Sequence, residues 1–303
     1  MKKKVIYTSV ILILILLFVF IFVIKADKKT IPVEHWALKN SGIEIRGQKG
    51  EAGTDLNVER IWKYTEGDSN LTVAILDTGI QTNLESIKES IDPRGKNFFS
   101  DEKELYHNFT SDYHGTMLAS IISRAHTPDS EVWGIAPKLK ILPLKFMEGR
   151  KGSIKSAIEG IEYANKLGIT IINCSWDTEI YNVELFDTIK KFNNILFITS
   201  TGKGGYNLED TPVYPAAYPL ENIISVAALE NNGTISKLSG YGLENTVYAP
   251  GGNIKVIDPM GNYNFVDGSS YATAYVTALV GLMKSENPNL SNTEIKKMLL
   301  NNK

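Results

Sequence analysis

The chain has 303 residues with 43% hydrophobic, 22% charged and 10% aromatic side chains, proportions that exclude a disordered, collagen-like or disulfide-built protein. Its 34 acidic and 32 basic residues give a formal net charge of -2, without the basic footprint of a nucleic-acid binder. One cysteine, Cys174, rules out an internal disulfide, and no His/Cys group has zinc-ligand spacing.

Residues 5–24 are uncharged, with Tyr7, Thr8 and Ser9 as their polar members. At about 1.5 Å per residue, a helix of that length spans the roughly 30 Å apolar core of a bilayer. Lys2, Lys3 and Lys4 precede the run, and Lys25, Asp27, Lys28 and Lys29 follow it. This reads as an uncleaved signal-anchor at 5–24 with a basic tail at 1–4 inside. A linker at 25–35 and a domain at 36–303 then lie outside, on a single-pass protein of the plasma membrane. The alternative is a cleaved signal peptide and a secreted product. Such peptides usually have an apolar region of about 7–15 residues and a small-x-small site, which Ile24-Lys25-Ala26 matches poorly.

Residues 30–70 are polar and glycine-bearing and read as loop. Beyond them, apolar runs predict strands at 71–76, 139–146, 169–174, 195–199 and 223–229. Helical patterns fall at 117–123, 154–167 and 271–283. The spacing of Ser291 and Glu294 is that of a capping box opening a last helix. Strands alternating with helices predict one α/β domain whose mostly parallel central sheet is covered by helices on both faces.

Ligands gather at the carboxyl ends of strands in such sheets, where Asp77 stands. Taken singly, Asp77 reads as a turn residue, His114 as a helix opening and Ser270 as a helix N-cap. Taken together, they run in the order Asp, His, Ser, one of the known orders of a nucleophilic triad. A serine hydroxyl needs a base within hydrogen-bond reach, histidine titrates near neutrality, and a carboxylate holds the imidazole tautomer. A serine at a helix start also points its backbone N–H toward a developing oxyanion.

On these residues the sequence resembles the subtilisin-like serine proteases (subtilases) over about residues 32–300. Val73-Ala-Ile-Leu-Asp77-Thr-Gly79 is similar to the family's Asp motif, His114-Gly-Thr-Met-Leu-Ala119 to its His motif, and Gly268-Ser-Ser270-Tyr-Ala-Thr-Ala274 to its Ser motif. Gly134-Ile-Ala-Pro137, Ile172-Asn173-Cys-Ser175 and Tyr248-Ala-Pro-Gly251 resemble supporting segments in the same order. Trp36-Ala-Leu-Lys-Asn-Ser-Gly42 resembles the start of many mature domains. The resemblance implies an endopeptidase acting on peptide or protein substrates through Asp77, His114 and Ser270. It needs no cofactor for catalysis; structural calcium is common in the family, but no dense Asp/Asn loop identifies ligands here.

Two departures bear on activity. Where the family reads Ala-Ala-Gly-Asn, this chain has Ser200-Thr201-Gly202-Lys203, so a lysine replaces the usual oxyanion-hole Asn. Three readings stay open: the Lys203 ammonium donates instead, Asn207 substitutes after a loop shift, or the protein is a slow or silent binder of peptides or partners. At the substrate pocket, Ser175-Trp176-Asp177 replaces the family's Ser-Leu-Gly. Asp177 then either favours a basic P1 residue or pairs with Lys203. Cys174, within an apolar strand, is expected to be inert.

Overall fold

Seven short strands, most of them nearly continuous in their apolar character, build the central sheet. They are β1 (Thr72–Asp77), β2 (Lys96–Asn97), β3 (Lys140–Lys145), β4 (Ile171–Cys174), β5 (Leu196–Ser200), β6 (Ile223–Leu229) and β7 (Thr246–Pro250). Their order is β7-β6-β5-β4-β1-β3-β2, and every pairing is parallel. The structure is a computed structural model that describes residues 31–127 and 129–301. The expected anchor at 5–24, with the basic tail at 1–4 and the flank at 25–29, lies outside the described residues. Among the described residues, no helix is long and apolar enough to cross a membrane. The unit Pro32–Lys303 contains the whole sheet.

Parallel strands need helical crossovers, and the helices cover both faces. Alternation along β1 sends Ala74 and Leu76 to one face. There they join Leu142, Leu144, Ile172, Cys174 and Phe197 against α2 (Ile154–Lys166) and α3 (Val183–Lys191) through Ala157, Ile161, Ala164, Leu185 and Ile189. The other face is covered by α1 (Phe109–Ser123) and α4 (Ser269–Glu286), which pack on each other and on β1, β3 and β4–β7. A last helix, α5 (Asn292–Leu300), opens with the expected capping box of Ser291 and Glu294. Because β3 and β4 flank β1 on opposite sides, the winding reverses at β1, and the carboxyl end of β1 is the switch point where open α/β sheets bind ligands.

The predicted strands stand within two residues of their expected bounds, and β6 coincides with them. The helix expected at 117–123 instead begins at Phe109. Asn108 caps it by accepting from the Thr110 and Ser111 amides, and Asp112 interrupts it with non-helical angles (φ -118°, ψ 16°). The apolar pattern starts only after that interruption, so the polar first turn was invisible to periodicity. Several elements had no sequence signal: β2, β7, α3, the hairpin of Ile254–Ile257 with Tyr263–Val266, and, within the stretch read as loop, the strand pair Glu44–Ile45 with Gln48–Lys49 and the short helix Val58–Ile61. Strand β7 carries Pro250 and a half-buried Tyr248, and α3 buries only Leu185 and Ile189.

Candidate active site

Asp77 is the last residue of β1 and is 1% exposed. Its Oδ1 accepts from the Thr78 amide at 2.7 Å, and its two oxygens lie 2.9 and 3.0 Å from His114 Nδ1. The carboxylate therefore holds the proton on Nδ1 and leaves Nε2 as the ring's acceptor. Helix α1 reaches this position through close backbone approach. The Gly115 amide donates to Thr78 Oγ1 at 3.1 Å, and the Gln81 amide donates to Thr116 Oγ1 at 2.9 Å. A Cβ at Gly115 would stand 2.2 Å from the Gly79 carbonyl oxygen, so only glycine allows the helix this close to the chain leaving β1. Gly79 itself has φ +97°, and a Cβ there would meet the Leu105 carbonyl oxygen at 2.0 Å.

Ser270 lies inside the first turn of α4, whose N-cap is Gly268, so it is not the capping residue. Its Oγ donates to the Ser175 carbonyl at 3.1 Å, while Ser175 Oγ donates to the Ser270 carbonyl at 3.0 Å. The next residue, Tyr271, packs against the His114 ring with centroids 5.7 Å apart. The structure thus joins Asp77 to His114 and brings the Ser270 turn beside the imidazole. Among the described residues, the Ser270 hydroxyl hydrogen bond goes to Ser175 and not to the ring.

The ends of β4 and β5 form the neighbouring wall. Ser175, Trp176, Ser200, Thr201 and Gly202 are all buried. Ser200 Oγ lies 2.7 Å from Ser269 Oγ, and Thr201 Oγ1 donates to the Val226 carbonyl at 3.0 Å. Trp176 packs on Phe146 with centroids 5.0 Å apart. These side chains are held as structure, and the wall's exposed polar groups are Asp177 and Lys203. A Cβ at Gly202 would sit 3.2 Å from the Asp177 carboxyl carbon, so protein crowds Asp177 although its residue surface is exposed. That crowding raises its carboxyl above the usual range, against the pull of Lys203; Glu179 raises it further and Arg150 lowers it. Among the described residues, Lys203 makes no hydrogen bond or ion pair, so it acts on Asp177 through space and not by direct pairing. Asn207 accepts from the Glu209 amide through its Oδ1 at 3.1 Å, and its side chain packs against Gly242.

A charged cluster behind α1 had no place in the sequence reading. Lys145, 0% exposed at the end of β3, has Nζ 2.7 Å from Asp112 Oδ2 and 3.0 Å from Glu148 Oε1. His107 bridges Glu148 and Glu102 at 3.2 and 3.1 Å. The signal that marks it is a lysine closing an otherwise apolar strand. His107, Asp112 and Glu148 offer ligand atoms within 4.8 Å of one another, the one such group among the described residues. A lysine ammonium already bonds both carboxylates, and calcium takes six to eight oxygens; these residues do not fit calcium. Cys174 is buried, and burial pushes its thiol far above the ordinary range, which agrees with an inert side chain. A cavity of about 1150 Å³ between residues of α4, α5, β7 and the 53–65 segment is lined by none of these groups.

A sequence profile described as the subtilase family matches residues 68–303. The cell wall-associated protease of Bacillus subtilis (strain 168) is 30% identical over 280 residues, covering 87% of this chain and 29% of that protein. Subtilisin DY of Bacillus licheniformis is 28% identical over 275 residues, covering 89% of this chain and 90% of its own. Among solved structures, a cold adapted subtilisin-like serine proteinase superposes with a TM-score of 0.71 at 18% identity, over 90% of this chain and 92% of that one. This last likeness concerns the fold.

Proposed function

The chain belongs to the subtilase family, and from that premise we propose that it is a serine endopeptidase acting through Asp77, His114 and Ser270. The observation that carries the reading is the contact of His114 Nδ1 with both Asp77 oxygens, at the strand end where the sheet's winding reverses. Turning the Ser270 side chain from the Ser175 carbonyl toward His114 Nε2 completes the relay. Ser270 Oγ then bonds to the scissile carbonyl carbon as its proton passes to Nε2. The imidazolium returns that proton to the leaving amine, and water hydrolyses the acyl-enzyme by the same path in reverse. The Ser270 N–H, unpaired at the start of α4, is one oxyanion donor, and the Lys203 ammonium is the second. Asp177 at the pocket wall selects a basic P1 residue. With residues 5–24 as a membrane anchor, the domain works outside the plasma membrane; release by signal cleavage is the alternative.

A second reading has its own support. With Ser270 Oγ bonded to Ser175 and a lysine in place of an oxyanion amide, the fold would bind peptides without cleaving them. Labelling with a serine-directed fluorophosphonate separates the two. Labelling of wild type that is lost in Ser270→Ala supports the protease; folded wild type that resists labelling supports the silent binder.

A further inference from the structure

Strands β1 and β3 end side by side, with Asp77 and Lys145 paired in register and the Phe146 amide donating to the Asp77 carbonyl at 3.0 Å. Each strand end reaches one residue of the α1 opening. Asp77 holds His114, and Lys145 holds Asp112 two residues earlier. Asp112 is fully buried and sits at the break in the helix. Its Oδ2 also accepts from the His107 amide at 2.6 Å, and its Oδ1 from Ser111 Oγ at 3.0 Å. Without the Lys145 ammonium, the buried carboxylate at the break before His114 would keep only these two neutral donors for its charge. The second Lys145 partner, Glu148, belongs to the short hairpin Met147–Glu148 with Lys151–Gly152, which is itself tied to α1 by the Gly149 amide donating to the Ser111 carbonyl at 2.8 Å.

We infer that Lys145 is a positioning residue for the proposed reaction: its ammonium pins the broken first turn of α1 through Asp112 so that His114 meets Asp77. At 0% exposure it cannot touch substrate, and its aliphatic stem fills the space beside Gly79, where a Cβ would lie 3.1 Å from Lys145 Cδ. A buried ion pair is a poor source of net stability but a strong constraint on geometry when both partners are bonded. A shift of about 1 Å at a catalytic group costs on the order of 10²-fold in rate. The inference rests on the protease reading, and its test separates the two.

The experiment compares wild type with the double variant Lys145→Met/Asp112→Asn, which removes both charges at similar volume and keeps an acceptor for the His107 amide. Each protein is assayed for kcat and KM on a fluorogenic peptide pool, for Tm, and for the low-field Nδ1–H proton resonance of His114 by NMR. The expected result is a Tm close to wild type, kcat lower by about 10–100-fold with KM within about threefold, and a weakened or upfield-shifted resonance. Full kcat with an unchanged resonance would overturn the inference and leave the pair structural. If wild type turns over no peptide, the protease reading fails, and the resonance alone decides whether Lys145 positions His114. Should the double variant not fold, Asp112→Asn alone, in which Lys145 keeps Glu148, is read in the same way.

Discussion

Gly115→Ala is the most direct probe of how the candidate site is assembled. The added Cβ would lie 2.2 Å from the Gly79 carbonyl oxygen and 3.2 Å from its carbon. Gly79 cannot yield, because it is itself confined against the Leu105 carbonyl. Helix α1 must then withdraw by about 1 Å before that contact becomes an ordinary one. The same movement would stretch the 2.9 and 3.0 Å contacts of His114 Nδ1 with Asp77 to nearly 4 Å, outside hydrogen-bond range. Overpacking of this kind costs about 1–3 kcal/mol, or roughly 2–12 °C in Tm for a domain of this size. Loss of imidazole alignment lowers kcat by roughly 10² for the displacement and by up to about 10⁴ if the tautomer is no longer held. Thermal unfolding, the rate of fluorophosphonate labelling and peptide turnover measure the three effects. An alanine variant with wild-type Tm and wild-type labelling rate would refute the claim that backbone contact at Gly79 sets the position of His114.

Four further outcomes are expected. Lys203→Ala lowers kcat by about 10–10³-fold with little change in KM if the ammonium is the second oxyanion donor, and Lys203→Asn retains or raises activity; an unchanged kcat in Lys203→Ala removes lysine from the mechanism. Cleavage after Arg or Lys exceeds cleavage after Leu or Phe and is lost in Asp177→Gly; since crowding raises the Asp177 carboxyl, the preference fades as pH falls through that raised value, and a profile flat with pH counts against it. His35, buried between Tyr275 and Trp133, has its pKa lowered from 6.5 to about 3 by burial; the unfolded chain alone binds that proton between these values, so stability falls as pH drops from 6.5 toward 3, by several kcal/mol, and urea unfolding of His35→Gln shows a flatter slope in that window. Detergent, and not high salt, releases the protein from membranes if residues 5–24 anchor it; a soluble product beginning near Asp27 indicates signal cleavage.

Much of this molecule is legible in its sequence, for local reasons. The strands at 71–76, 169–174 and 223–229 announce themselves because a parallel strand buried on both faces must be apolar at nearly every position. Ser291 and Glu294 announce a helix because a capping box is complete within four residues. The motifs around Asp77, His114 and Ser270 carry their residue types openly, since hydrolytic chemistry restricts which side chains serve. The tertiary structure decided what depends on partners distant in the chain. It showed Lys145 and Asp112 meeting at 2.7 Å from different elements, where the sequence offers only a charge after an apolar strand and another in a polar turn. It placed His114 and Ser270 within helical turns and not ahead of them, because Asn108 and Gly268 terminate those helices earlier than apolar periodicity begins. It also left Asp177 and Lys203, at the ends of β4 and β5, acting on each other through space without a direct ion pair. Patterning is a property of neighbours along the chain, whereas a buried charge finds its counter-charge only once the sheet has brought two strand ends and a helix together.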